Sequence, residues 1–446
     1  MDTPRYVAAI EISSSKVIGA VGKIYPDGKL DVLAVEQESR NECVRYGIVQ
    51  NVEDTAYRIQ RVISRLERNS EVSPNKITSI FVGLSGRSLR AIATDVEIRL
   101  PEETVIDSTI VRQLREKAES KAIDSSLEVI DAVPRSFTIG QTKTKEPTGN
   151  LGNNIKATYD LIVCRPQIKR NIERTGISSR LNVKINGFIV THLAAGALIP
   201  NESEKQLGCM LVDIGAETTC VSIYKDGHLE YFATLPLGSR NITRDITSQS
   251  VLEDQAESIK IENGNAMPSS NSGANLNIHG VDKAAINEII VARTEEIMVN
   301  IIEQINYAGL KDSDLPGGII LIGGGSRLHN LEELIRETTN MPVKRGQLPA
   351  QYISYSCKTP SMEAMQVVGI LYNGATHSYA ECLSTPEPDE IPDTGVPNPD
   401  DPETEGRPGV KKPDKPRQPG RISGFFSRIG KILTPGNEDS DLEDNY

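Results

Sequence analysis

Two stretches of the chain, about 200 residues apart, share one pattern of apolar strand, small polar turn and second apolar strand. The later copy, residues 209–224, reads CMLVDIGAETTCVSIY. The earlier copy reads YVAAIEISSSKVIGAVGKIYPDGKL, and aligning Glu11 with Asp213 matches both strands, the turn and a following Tyr-x-Asp-Gly. Such a repeat predicts a duplicated fold in which two facing turns hold one ligand.

Both turns have side chains suited to phosphate. Backbone N–H groups and hydroxyls in a tight turn suit phosphate oxygens, and a carboxylate at a strand end can hold a metal-bound water. Taken alone, the later turn fits an ordinary β-hairpin capped by Asp213 equally well, and only the second copy favours a ligand site. The first turn, residues 13–16 (SSSK), lacks glycine, so its hydroxyls and ammonium can reach phosphate but its backbone approaches less closely.

Composition limits the possible class of protein. A chain of 446 residues can hold more than one domain and a sizeable core. A net charge of −12 and the absence of tryptophan argue against nucleic acid as the main partner. The six cysteines form no CxxC motif and no Cys/His cluster, which indicates a reducing cytoplasm without disulfides or structural zinc. We expect no signal peptide, because the N-terminus has no basic region followed by a long apolar run. We also expect no membrane-spanning helix, because no stretch reaches about 18 apolar residues.

Hydrophobic periodicity predicts the elements of the first half. Residues 6–36 should form three strands, residues 52–67 a helix and residues 76–84 a strand. A separate small α+β block follows at 85–164, with strands at 89–100, 128–139 and 155–164 and a helix at 104–122 preceded by Pro101 and two acids. This block contains no recognisable catalytic set, so we interpret it as an inserted interaction domain. Residues 166–198 should return to helix, strand and helix.

The second half is predicted to continue the hairpin to about Leu237, followed by helices at 242–250 and 281–310 around a glycine-rich loop at 262–277. A buried strand at 319–322 then leads into Gly323-Gly324-Gly325 and a helix at 328–338. A glycine turn between strand and helix lets a flat ligand lie against backbone. The last helix predicted before the C-terminal part spans residues 361–372.

The C-terminal part has a different composition. Residues 384–420 contain ten of the 25 prolines, with an acidic first part and a basic second part, and predict a disordered tether spanning on the order of 30–40 Å. On a helix, the next residues would form an apolar face of Ile422, Phe425, Phe426, Ile429, Ile432 and Leu433, with Arg421, Arg428 and Lys431 at or beside the polar face. Such a helix is typical of one lying in the interface of an anionic membrane, and the alternative is a helix docked on the protein's own core. The final residues, 435–446, include a run of acids.

Together these motifs resemble the actin/Hsp70/sugar-kinase superfamily and, within it, the FtsA family of bacterial cell-division proteins. The resemblance rests on the Glu11 turn, the inserted block, VDIGAETT, LGSRNITRDI, AESIK, ILIGGGSRL and the terminal amphipathic stretch, and covers about residues 5–380 and 420–434. It implies an α/β, duplicated actin-like (ribonuclease H-like) fold with an inserted small α+β domain and a disordered C-terminal tail. The implied limits are subdomain 1A at 1–84, 165–197 and 344–380, inserted subdomain 1C at 85–164, subdomain 2A at 198–226 and 303–343, subdomain 2B at 227–302, the linker at 384–420, the membrane-targeting helix at 421–434 and the acidic tail at 435–446.

The resemblance also implies an ATP site between the two halves, with Mg²⁺ held through waters by Glu11 and Asp213. The implied ATP contacts are Ser13, Ser14, Ser15 and Lys16 at the first phosphate turn, Asp213, Gly215, Ala216, Glu217, Thr218 and Thr219 at the second, Glu257 and Lys260 on a helix facing the adenosine, and Gly323, Gly324, Gly325 and Arg327 at the adenosine turn. Ala216 and Glu217 replace glycines common in the family. Glu217 would therefore place a negative charge near the phosphates unless Lys16 or Mg²⁺ offsets it.

The implied function is that of an ATP-binding filament protein with at most slow hydrolysis, rather than a metabolic enzyme. Members of the family polymerise like actin, bind the C-terminal tail of the tubulin-like FtsZ, anchor it to the cytoplasmic face of the inner membrane at the septum and help recruit later division proteins. One alternative is a small-molecule, sugar-type kinase, which would need a general base facing a substrate cleft. Another is a pilus-type actin-like scaffold, which binding to pilus components rather than FtsZ would identify.

Overall fold

The computed structural model describes residues 3–39, 42–268, 277–278, 281–358 and 362–385. The membrane helix predicted at 421–434, the acidic tail and all but the first two residues of the predicted linker lie outside the described residues. No helix in the described ranges is both long and apolar enough to cross a membrane.

The first half opens with the three predicted strands and the predicted helix. Helix α1 begins where the Asn51 side chain accepts the N–H of Asp54, and it buries the apolar face that its periodicity predicted. In chain order the elements are β1 (Arg5–Ile12), β2 (Lys16–Ile24), β3 (Leu30–Ser39), β4 (Val44–Arg45), β5 (Ile48–Val49), α1 (Val52–Arg68), β6 (Lys76–Ile77) and β7 (Ser79–Leu84).

The inserted block is confirmed as small α+β, but its helix starts later than predicted. The strand before the helix continues to Val105, which pairs with Leu151, so the predicted start near Thr104 was wrong. The side chain of Asp107 accepts the N–H of Ile110 and sets the actual start. The elements are β8 (Arg90–Val105), α2 (Ser108–Glu119), β9 (Glu128–Ile139), β10 (Thr142–Thr144) and β11 (Leu151–Cys164).

The remaining elements complete the first half and build the second. The helix predicted from Ile242 starts at Ser239, because the Asn241 side chain accepts the N–H of Gly238. The helix predicted at 328–338 spans 331–339, since a 3₁₀ turn occupies Gly324–Arg327. The elements are α3 (Gln167–Arg174), β12 (Lys184–Val190), α4 (Thr191–Leu198), α5 (Glu202–Leu207), β13 (Cys209–Ile214), β14 (Thr219–Lys225), β15 (His228–Leu235), α6 (Ser239–Ile246), α7 (Glu253–Asn263), β16 (Asn277–Ile278), β17 (Val281–Asp282), α8 (Lys283–Tyr307), β18 (Ile319–Ile322), α9 (Leu331–Thr339), β19 (Val343–Arg345), β20 (Ile353–Tyr355), α10 (Met365–His377) and β21 (Leu383–Ser384).

The sheet topology confirms the duplication. In the first half β1, β2 and β3 form an antiparallel meander and β7 lies parallel to β1, giving the order β12-β7-β1-β2-β3-β20. In the second half β13, β14 and β15 repeat the meander and β18 lies parallel to β13. Glu11 and Asp213 therefore occupy equivalent positions near the carboxyl ends of β1 and β13.

The inserted block joins the sheet of the second half, although the chain enters and leaves it from the first half. Arg90 on β8 pairs with Ala233 on β15, which extends the second sheet to the order β10-β9-β11-β8-β15-β14-β13-β18-β19. Beside this joint Arg135 contacts the buried carboxylate of Asp160 at 2.6 Å and donates to the carbonyl oxygen of Glu230 at 2.7 Å. The block also contacts the first half, where the ammonium of Lys169 on α3 donates to Glu128 on β9 at 3.3 Å.

Candidate functional site

A cavity of about 1520 Å³ lies at the carboxyl ends of β1 and β13. Every residue predicted to contact nucleotide or metal lines it, with the exception of Thr219. Thr219 is fully buried at the start of β14, and its hydroxyl donates to the carbonyl oxygen of Leu237 at 2.8 Å. The two predicted phosphate turns, the α7 residues and the glycine turn are thus brought together around one space.

Two buried carboxylates lie at the base of this cavity. Glu11 is 3% exposed and Asp213 is 7% exposed. Burial raises the pKa of Glu11 to about 7, although Lys16 opposes the shift, and burial raises the pKa of Asp213 to about 6, although a hydrogen bond from Gln366 and the charge of Lys16 oppose it.

One oxygen of each carboxylate, Glu11 Oε2 and Asp213 Oδ1, has no hydrogen-bond partner among the described residues. Buried oxygens without a partner are costly in the absence of a ligand, and two carboxylate oxygens are ligands that suit Mg²⁺ or the waters around it. The residues present therefore fit the Mg²⁺ that the resemblance implied.

Lys16 is held by a residue that the sequence did not single out. Its ammonium donates to the carbonyl oxygen of Glu363 at 2.9 Å and pairs with the carboxylate of Glu363 at 3.4 Å. The other carboxylate oxygen of Glu363 accepts from Arg327 at 3.0 Å. Glu363 thus links the first predicted phosphate turn to the predicted adenosine turn. No local motif marks it, because both partners are distant in sequence.

Glu217 lies in the second phosphate turn, but its charge is already compensated. The carboxylate is 1% exposed, accepts the N–H of Tyr46 at 2.7 Å and contacts the guanidinium groups of Arg240 and Arg244 at 3.0 Å. Burial alone would raise the pKa of Glu217, but the Tyr46 N–H and the charges of Arg240 and Arg45 outweigh it and hold the pKa below its usual range. Arginines, rather than the expected Lys16 or Mg²⁺, therefore neutralise this carboxylate.

The predicted adenosine-facing helix is α7. Lys260 is almost fully buried, and its ammonium donates to Glu257 at 2.7 Å, to the hydroxyl of Thr243 at 2.9 Å and to the carbonyl oxygen of Ser239 at 3.2 Å. Burial lowers the pKa of Lys260, while the charge of Glu257 opposes the shift. These bonds join α6 and α7 into one wall of the cavity.

The predicted adenosine turn needs glycine at Gly323. Its backbone has φ +84° and ψ 166°, a region that is essentially restricted to glycine. A Cβ atom there would lie 2.6 Å from the carbonyl oxygen of Ile214 and closer still to Asp213 Oδ1. The absence of a side chain therefore allows the turn to pack directly on the end of β13.

His192, at the start of α4, is a further cavity residue that the sequence did not reveal. Its Nε2 lies 2.9 Å from the hydroxyl of Ser222, and its ring stacks on Phe232 with centroids 5.7 Å apart. Burial lowers the pKa of His192 to about 3, so the ring is neutral. A lone histidine in an apolar segment carries no sequence signal for this contact between the two halves.

Comparison with known proteins agrees with this architecture. A sequence model described as cell division protein FtsA matches residues 210–364, and one described as the SHS2 domain inserted in FtsA matches residues 86–163. The chain is 29% identical over 392 residues to the cell division protein FtsA of Porphyromonas gingivalis, covering 85% of this chain and 80% of that protein. It is 28% identical over 354 residues to the FtsA of Pseudomonas aeruginosa, covering 77% of this chain and 83% of that protein.

Among solved structures, a chain of the PilM–PilN type IV pilus biogenesis complex superposes with a TM-score of 0.57 at 15% identity, covering 82% of this chain and 98% of that one. At this identity the likeness shows the fold alone. The two sequence models together span more than half of the chain, and the limits of the inserted-domain model agree with the block from β8 to β11 in the structure. With its duplicated actin-like halves and its inserted domain, the chain belongs to the FtsA family of cell-division proteins.

Proposed function

We propose that the protein binds Mg-ATP in the cavity and uses the nucleotide as a conformational switch that biases actin-like polymerisation. The observation that carries this proposal is the pair of phosphate turns, which face one cavity with the unpartnered oxygens of Glu11 and Asp213 at its base. Mg²⁺, when bound, would neutralise phosphate charge there. Phosphate oxygens would be bound by the hydroxyls of residues 13–15 and of Thr218. Lys16 would add a fixed positive charge.

Hydrolysis in this site would be slow at most. In this proposal Glu11 and Asp213 would hold the metal through waters, and Glu217 is already engaged by Tyr46 and arginines. A kinase of small molecules would need a carboxylate that acts as general base on a bound substrate, and phosphate transfer to a sugar would identify one. The structural likeness to the pilus protein concerns the fold alone and therefore gives no support to a pilus scaffold.

The second part of the proposal concerns location and partners. Family membership and the apolar helix face predicted at 422–433 support a role in which polymers bind the cytoplasmic face of the inner membrane at the septum, hold FtsZ by its C-terminal tail and help recruit later division proteins. Burying six apolar side chains in the membrane beside several cations would contribute on the order of 5–10 kcal/mol to membrane binding, before the cost of ordering the helix is subtracted. One such helix binds reversibly, whereas many helices on one polymer bind firmly through avidity.

Co-sedimentation with anionic liposomes tests this role, with and without Mg-ATP and purified FtsZ. The wild-type chain should pellet with liposomes and carry FtsZ with it. Phe425→Glu with Ile429→Glu should stay in the supernatant, because two charges then interrupt the apolar face.

The matched control is Ser423→Glu with Ser427→Glu, which adds the same two charges outside the apolar face and should keep most of the binding. Equal pelleting of all three proteins, or pelleting of none, would overturn the membrane assignment. Liposome binding without FtsZ in the pellet would overturn the partner assignment.

A further inference from the structure

The tip of the short β4–β5 hairpin lies against both phosphate turns. The N–H of Tyr46 donates to Glu217 Oε2 at 2.7 Å, and the N–H of Gly47 donates to the hydroxyl of Ser14 at 3.0 Å. Tyr46 has φ +48° and Gly47 has φ +75°, so two successive residues adopt the left-handed conformation. Side-chain-bearing residues adopt this conformation at a cost, and here it allows two adjacent N–H groups to contact the two turns.

Arg240 at the start of α6 connects the same two turns from the other side. One guanidinium nitrogen donates to Glu217 Oε1 at 3.0 Å, and the other donates to the carbonyl oxygen of Ser14 at 3.2 Å. The contacts therefore close into a ring that runs Glu217, Tyr46, Gly47, Ser14, Arg240 and back to Glu217. We call this set the clasp.

The clasp joins the two halves of the molecule at the edge of the cavity. Ser14, Tyr46 and Gly47 belong to the first half, whereas Glu217 and Arg240 belong to the second. Both oxygens of Glu217 are used, and the side chain is 1% exposed, so solvent does not screen these bonds as it does at a surface pair. The two phosphate turns cannot separate at this edge unless the bond from Tyr46 to Glu217 and the bond from Arg240 to Ser14 both break.

We propose that Glu217 is a positioning residue for the nucleotide: through the clasp it holds the two phosphate turns together, and the clasp must open before nucleotide leaves. This inference rests on the proposed nucleotide function and deepens it, because it assigns control of nucleotide exchange to a residue that replaces a glycine common in the family. Glu217 acts through Tyr46, Ser14 and Arg240 rather than by touching phosphate.

The charge of Glu217 and its role in the clasp predict opposite effects on nucleotide binding when Glu217 is neutralised. A negative charge near bound phosphates weakens their binding, so on charge alone Glu217→Gln should tighten nucleotide binding. Loss of the clasp should instead release nucleotide faster, because hydrogen bonds to a charged carboxylate are replaced by weaker bonds to an amide. The direction of the change therefore separates the two interpretations.

Stopped-flow fluorescence with a Mg-bound fluorescent ATP analogue measures the rates directly. The dissociation rate of Glu217→Gln should exceed that of the wild type by about tenfold or more, with an association rate that is unchanged or higher. The matched control is Glu253→Gln. Glu253 lies 4.0 Å from the same Arg240 but is 62% exposed and outside the clasp, so its dissociation rate should stay within about twofold of the wild type.

Arg240→Lys provides a second variant that keeps the charge, in case Glu217→Gln does not fold. A lysine cannot bridge Glu217 and Ser14 with two separate donors in the fixed geometry of a guanidinium, so dissociation should again be faster. Unchanged or slower dissociation in the folded variants would overturn the clasp while leaving the nucleotide site in place. Absence of analogue binding to the wild type would overturn the nucleotide function itself.

Discussion

Replacing Gly323 by alanine should strongly destabilise the nucleotide-free protein. Gly323 has φ +84° and ψ 166°, and a Cβ would lie 2.6 Å from the carbonyl oxygen of Ile214 and closer to Asp213 Oδ1. Both neighbours belong to the end of β13, which is buried between β14 and β18, so neither can move cheaply. The unfavourable backbone conformation costs about 1–3 kcal/mol, and the overpacking costs about another 1–3 kcal/mol.

The adjacent Gly324 supplies a matched control. Its φ lies outside the left-handed region, and no described atom lies within 4 Å of the position that a Cβ would take. Gly324→Ala should therefore leave the free energy of unfolding within about 1 kcal/mol of the wild type. Because Gly324 lines the cavity, the same methyl group should weaken binding of an adenosine packed against this turn.

Urea unfolding of the two variants and the wild type, followed by circular dichroism without nucleotide, measures the difference. The expected loss for Gly323→Ala is roughly 2–6 kcal/mol, a large share of the about 5–15 kcal/mol typical of a folded protein, so its midpoint should fall clearly below the others. Equal midpoints for Gly323→Ala and Gly324→Ala would refute the reasoning, since backbone atoms crowd the Cβ position only at Gly323.

Three further predictions concern the buried charges. Burial raises the pKa of Glu11 from 4.5 to about 7, so the folded state holds this proton more tightly than the unfolded chain does. The nucleotide-free protein should therefore lose stability as the pH rises through that interval. Thermal unfolding of Glu11→Gln should show a weaker pH dependence than that of the wild type. Gln366→Leu removes the hydrogen bond to Asp213, so binding of Mg-ATP measured by calorimetry should weaken by about tenfold, and unchanged affinity would contradict the assignment. Arg135→Met leaves the buried Asp160 without its cation and should lower the free energy of unfolding by about 3–5 kcal/mol. This loss should appear as faster hydrogen exchange in β8 and β15. The control is Arg99→Met, at an exposed arginine, which should leave exchange in these strands unchanged.

Local patterns in the sequence were sufficient to predict most of the fold. The strands at Glu128–Ile139 and Ile319–Ile322 have the predicted limits, because alternating or continuous apolar residues bounded by polar turns determine strands locally. The duplication was readable because both copies keep their strands, turn and Tyr-x-Asp-Gly. Helix starts were predicted less accurately. The N-cap of α2 is Asp107, whereas the prediction relied on Pro101 and the acids beside it as the start signal.

The contacts that define the site were less predictable because they join distant parts of the chain. Glu217 is recognisable as a departure from glycine, but its partner Tyr46 lies 171 residues away. Gln366, which donates to Asp213, is 153 residues from it and belongs to no motif. The joint between β8 and β15 likewise depends on tertiary packing, since a strand's partner is decided by the surface available beside it and not by its own periodicity.

The most direct test of the account is calorimetric titration of Mg-ATP into the full chain and into Asp213→Asn. We predict one ATP per wild-type chain. Binding to the variant should be weaker by about tenfold or more, with the free energy of unfolding of the nucleotide-free variant unchanged or higher, because a buried carboxylate with an unpartnered oxygen has been replaced by a neutral group. No binding to the wild type, or equal affinity in the two proteins, would contradict the claim that the two phosphate turns enclose a single Mg-ATP site.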